Sequence, residues 1–106
     1  MKETELIREI AKTYRRHGWT LRRVLLTKEL LEKLGNSFQA GAPVSLAETN
    51  ALWFSRASAA GESWELRSIS ETPFALFEVF AKGVSEAELN QRLSETEKRL
   101  RERAKK

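Results

Sequence analysis

The sequence predicts an α+β domain, with helices packed on a mostly antiparallel four-stranded sheet in the order α-β-α-β-β-β-α. Three observations carry that expectation. Apolar residues recur at helical spacing near both ends of the chain. Between them lie short runs rich in Trp, Phe, Leu and Val, bounded by Gly or Pro, which is how strands read. Helices and strands segregate along the chain, as they do when helices lie on an antiparallel sheet.

Residues 3–17 place Leu6, Ile7, Ile10, Ala11 and Tyr14 on one helical face. Glu3, Glu5 and Glu9 come early and Arg15 and Arg16 late, in line with the helix dipole, and Gly18 is the expected stop. Residues 19–26 read as a strand, with Trp19, Leu21, Arg23 and Leu25 on one face and Thr20, Arg22, Val24 and Leu26 on the other. Thr27 caps a short helix over 28–34 with Leu30, Leu31 and Leu34 inward and Gly35 closing it. Residues 35–44 read as a loop, and Ser45 and Glu48 have the spacing of a capping box that opens a single helical turn. Residues 51–56 and 63–70 form a hairpin around Gly61. After a turn at 71–73, residues 74–80 form a third strand of the meander, favoured over a helix by their aromatic and β-branched content. Residues 85–104 form the clearest helix, with Ser85 and Glu88 as a capping box and Leu89, Leu93, Thr96 and Leu100 as its apolar stripe.

A chain of 106 residues fits one domain, 1–106, whose basic end at 98–106 is expected to reach solvent or a partner. There is no Cys, which removes thiolate chemistry and thiol-ligated metals, and a Cys-free chain suits a reducing compartment. The chain has one His and 15 acidic residues, all of them Glu, so the usual ligands of metal and hydrolase sites are scarce. Neither a signal peptide nor a membrane span is expected, which makes the cytoplasm the default setting. No phosphate-cradling glycine motif, nucleophile elbow or zinc-protease motif occurs. Charge is uneven. Residues 10–28 carry six basic residues and no Glu, and residues 92–106 carry seven basic residues against three Glu.

Taken together, the strings YRRHGWTLRRVLL, ALWFSR, WELR and TPFALFE resemble the core of a family of small uncharacterised bacterial proteins. That resemblance implies a bacterial origin and no activity.

Four constellations bear on function. Arg15, Arg16, His17, Trp19, Arg22 and Arg23 combine arginine with an aromatic, as surfaces that grip phosphates and stack on bases do. Yet Arg15 and Arg16 end a helix, and Arg22 and Arg23 adjoin on a strand and so point to opposite faces, which favours a structural role. The run Lys98 to Lys106, with Arg99, Arg101 and Arg103, reads as a solvated helix end or as a partner-binding helix. Arg56, Glu65, Arg67 and Glu78 form a charged row on the meander. They are either cross-strand ion pairs or, with Trp53 and Trp64, the lining of a pocket for an anionic or aromatic ligand. His17 reads as a helix cap, with a general base paired to Glu65 or Glu78 as the rival.

The leading expectation is a non-enzymatic interaction or regulatory module that needs no cofactor or metal. A homodimer is expected because both faces of 74–80 are apolar and one helical layer covers only one of them. The alternatives are nucleic-acid binding through 12–23 and 98–106, which requires the two basic zones to meet on one face, and small-ligand binding at the hairpin.

Overall fold

The computed structural model describes residues 2–34, 42–59, 61–69 and 75–104. Its elements are α1 (Lys2–Arg16), β1 (Thr20–Leu26), α2 (Lys28–Leu34), β2 (Val44–Leu46), β3 (Ala51–Ser58), β4 (Gly61–Ser68), β5 (Ala75–Ala81) and α3 (Glu86–Ala104). The class is α+β as expected, but the sheet has five strands in the order β2-β1-β3-β4-β5. All neighbours are antiparallel except β1 and β2, which run parallel.

The added strand replaces the expected helical turn after Ser45. Val24 N–H donates to the Pro43 carbonyl at 2.9 Å and Ala47 N–H donates to the Leu26 carbonyl at 2.8 Å. These bonds zip Val44, Ser45 and Leu46 alongside Val24, Leu25 and Leu26. All three β2 side chains are exposed, so backbone pairing rather than burial makes this strand. The expected loop at 35–44 and the turn at 71–73 lie largely or wholly outside the described residues.

Helix ends follow their local chemistry. Gly18 takes φ +88°, and Trp19 N–H donates back to the Tyr14 carbonyl at 2.9 Å, which closes α1. Thr27 Oγ1 accepts from Leu30 N–H at 3.3 Å at the start of α2, and Ser85 Oγ accepts from Glu88 N–H at 3.1 Å at the start of α3. The segment 75–81 is a strand. It pairs with β4 along its whole length, from Arg67 with Ala75 to Gly61 with Ala81.

Helices cover both faces of the sheet. On the first face, Ile7 and Ile10 of α1 and Leu30 and Leu34 of α2 pack on Val24, Leu26, Leu52 and Phe54. On the second, Leu93 and Leu100 of α3 pack on Leu25, Trp53, Trp64, Leu66 and Phe80. Thr96 is buried with them, which completes the stripe read from the sequence.

One irregularity re-sorts β1. The register with β3 shifts between Leu21 and Arg23, so Arg22 is an extra residue in a bulge. Leu21 and Trp19 therefore pack on the first face with Val24 and Leu26, while Leu25 joins the second. The alternation expected for 19–26 breaks at this point. Among the described residues, no helix is long and apolar enough to cross a membrane.

Candidate functional site

Two surfaces concentrate functional chemistry, one on each face. On the first face α1 reaches into the β4–β5 half of the sheet as far as Glu65 and Arg67 of β4 and leaves Phe77 and Val79 of β5 exposed. Strand alternation and register put Ser63, Glu65 and Arg67 of β4 on that half, beside Val79, Phe77 and Ala75 of β5 respectively. Phe77 is 59% exposed and Val79 61% exposed. Tyr14 of α1 forms the inner wall. Its ring stacks on Phe54 with centroids 4.0 Å apart and planes at 12°, and its hydroxyl donates to the Glu65 carboxylate. Glu65 is only 8% exposed, so this hydroxyl satisfies a buried charge. Arg67 donates to the Ser68 carbonyl at 2.6 Å and, with Glu9, Ile10, Thr13 and Tyr14, lines a shallow depression of about 150 Å³.

The Tyr14 phenol is pushed above its ordinary value of 10.0, first by burial and then by the Glu65 carboxylate that accepts its proton; nearby Arg67 opposes the shift. A raised folded-state value means that the native protein keeps this proton when the unfolded chain has lost it. The stabilisation is fully present below pH 10 and is lost as pH rises beyond it. Tyr14 is the only tyrosine, so absorbance titration reads it alone. No phenolate signal is expected until well above pH 10, where its appearance should coincide with loss of the native circular dichroism. An ordinary phenolate titration of the folded protein contradicts the Tyr14–Glu65 contact.

The second face is spent on holding α3. Glu78 accepts from Arg92 at 3.0 Å, from Arg99 at 3.3 Å and from Thr96 Oγ1 at 3.2 Å. Arg92 also lies 4.4 Å over the Phe80 ring. Trp53 Nε1–H donates to Glu97 at 2.8 Å, Trp64 Nε1–H donates to Glu62 at 2.7 Å, and the two indoles meet edge to face at 5.9 Å. Arg22 lies 4.7 Å over Trp64 and donates to Ser55 Oγ at 3.0 Å.

The charged row of Arg56, Glu65, Arg67 and Glu78 and the two tryptophans beside it are thus divided. Arg56, Glu65 and Arg67 share the first face, and Trp53, Trp64 and Glu78 are on the second. Arg56 reaches the end of α1, 4.7 Å over the Trp19 ring, and donates to the His17 carbonyl at 3.2 Å. Odd and even residues of paired strands point to opposite faces, which is the reason for the split.

The basic candidates divide as well. Arg15 and Arg16 end α1, whose packing is on the first face. Arg22 and Arg23 were expected to point apart, but the bulge puts both toward the α3 side. There Arg23 donates to Asn90 Oδ1 at 3.1 Å. Arg99 is bound to Glu78, Arg101 Nε lies 3.6 Å from Glu48, and Arg103 is on the exposed helix end. Leu100 is buried, so the basic end of α3 stays packed at least that far. His17 Nδ1–H donates to the Thr13 carbonyl at 2.9 Å, which is capping geometry.

Sequence reasoning did not place Tyr14 with Glu65, because a contact 51 residues apart leaves no local signal. Phe77 and Val79 were legible as one apolar face of a strand, but nothing local says where α1 ends above them. Comparison with protein families, with characterised proteins and with solved structures gives no match.

Proposed function

We propose that this chain is a small non-catalytic protein-interaction module whose working surface is the β4–β5 half of the first face. The observation that carries this reading is the pair Phe77 and Val79, more than half exposed, on a strand whose opposite side is buried under α3. Leaving apolar side chains in water costs about 25 cal/mol per Å² relative to burial, so a contiguous strip of them favours a partner. The neighbouring polar groups fit a rim rather than a reaction centre. Glu65 and Tyr14 satisfy each other, and Arg67 is engaged by a backbone carbonyl. The partner is a protein that offers an apolar strip and extended backbone. The Cys-free composition supports a cytoplasmic setting, and the sequence resemblance supports a bacterial source.

A photoreactive phenylalanine analogue at position 77 tests this in cells, with the same analogue at exposed Ser94 on α3 as control. Discrete polypeptide adducts are expected from position 77 and not from 94. If position 77 gives no adducts beyond those of the control, the reading fails.

A further inference from the structure

Strand β5 is an edge of the sheet, and no strand besides β4 among the described residues pairs with it. The other edge, β2, is only three residues long, which limits what can pair with it. β5 has seven residues with no Lys, no Pro and a single charge, Glu78, that is turned to the second face. Such an edge presents unpaired backbone groups as a template for another strand.

The ladder shows which groups are presented. Ile69 N–H donates to the Asn50 carbonyl at 3.0 Å, so the odd residues of β4 turn their backbone groups to β3 and the even ones to β5. Through the register, Leu76, Glu78 and Phe80 bond to β4, and Ala75, Phe77, Val79 and Ala81 aim N–H and C=O at the open edge. Two contacts agree with this: the Val79 carbonyl accepts from Arg92 at 3.2 Å and the Ala81 carbonyl from Val84 N–H at 3.3 Å. Each carbonyl keeps a second lone pair. Among the described residues no strand pairs with this edge.

The sequence of β5, Ala-Leu-Phe-Glu-Val-Phe-Ala, has the same pattern of small and large apolar residues on either side of Glu78. Phe77 mirrors Val79, Leu76 mirrors Phe80, and Ala75 mirrors Ala81. A two-fold interface must be complementary to itself, and a strand that mirrors its own apolar residues meets that condition. The parity also agrees. Around an axis at Glu78, Phe77 stands opposite Val79 of the second copy and Ala75 opposite its Ala81, and all of these are outward-bonding residues. The one unfavourable pair is Glu78 against its own copy, since like charges opposite each other destabilise a sheet. Arg92 and Arg99 already hold each Glu78 carboxylate, at 3.0 and 3.3 Å, which offsets that repulsion.

We propose that two copies of this chain join β5 to β5, antiparallel, about a two-fold axis at Glu78, forming one continuous sheet with five strands from each copy. Phe77 and Val79 of both copies then form a single apolar patch on the first face. This rests on the reading of that face as an interaction surface, and it names the partner as a second copy.

Sedimentation of the purified full chain is expected to show a reversible dimer at micromolar concentration. Val79→Pro should abolish it while the circular dichroism stays native, because the lost N–H points to the open edge and takes no part in the β4–β5 ladder. Val79→Thr keeps that N–H and should remain dimeric. The chain lacks cysteine, so disulfide trapping gives a second test that does not depend on the proline variant folding. In an equal mixture of Phe77→Cys and Val79→Cys chains, the mixed disulfide should far exceed the roughly twofold excess over either like pair that random pairing gives, since only unlike positions stand opposite each other. A strictly monomeric chain, a dimer indifferent to Val79→Pro, or a predominant 77–77 disulfide each overturns the inference. A monomer that still gives discrete adducts from position 77 in cells overturns only the identity of the partner. The absence of both overturns the surface as well.

Discussion

Alanine in place of Trp53 is expected to cost about 3–5 kcal/mol of stability, a large share of the roughly 5–15 kcal/mol that holds a domain of this kind together. The indole is 0% exposed and sits at the centre of the second face, among Trp64, Leu93 and Leu100. Its removal opens a cavity between the sheet and α3, and a close-packed interior fills such a gap only in part. It also removes the donor that Glu97 uses at 2.8 Å, one of the polar ties that fix α3 over β3. Trp53→Phe separates the two effects. It keeps a ring against Trp64 and loses the N–H, and Glu97 is exposed enough to take water instead, so the expected cost is about 1–2 kcal/mol. Urea unfolding followed by circular dichroism measures both variants. A Trp53→Ala midpoint close to that of the parent, at unchanged m-value, contradicts the packing described for α3.

Gly61→Ala is expected to destabilise by about 3 kcal/mol or more, although the change adds one methyl group. Gly61 opens β4 opposite Ala81, at φ +151°, a conformation that side chains rarely adopt. An added Cβ lands inside van der Waals contact of the Phe80 carbonyl oxygen, 3.0 Å from its carbon and 3.1 Å from the Ala81 Cα. The obstacle is backbone of the paired strand, so β5 has to part from β4 at that end. Gly83→Ala is the natural comparison. It also has positive φ, +83°, but nothing lies within 4 Å, so only the backbone preference remains, about 1 kcal/mol. Hydrogen exchange should show the Gly61 variant losing protection selectively at the Phe80 and Glu78 amides, which bond to β4. Equal costs at the two glycines contradict the close approach.

Much of the architecture was legible because its causes are local. Ser85, Thr27 and Gly18 mark helix ends through bonds to residues within a few positions. Leu93, Thr96 and Leu100 fall on one face because the helical repeat puts them there, and all three are buried. The aromatic and β-branched content of 75–81 was enough to favour strand over helix. The candidate site was less legible. Its polar row and its tryptophans looked like one group in sequence, but alternation and register sent Glu65 and Arg67 to one face and Trp53, Trp64 and Glu78 to the other.

For 75–81, the sequence by itself determined an apolar strand with material for two faces. Only the tertiary structure decided that α3 covers one of them, that α1 stops short of the other, and that Phe77 and Val79 are left exposed. The same division holds elsewhere. The bulge at Arg22 and the parallel pairing of β2 turn on which backbone groups meet across strands, and no side-chain pattern records that choice. Local bonding sets where an element begins and ends, whereas burial depends on what else packs against it.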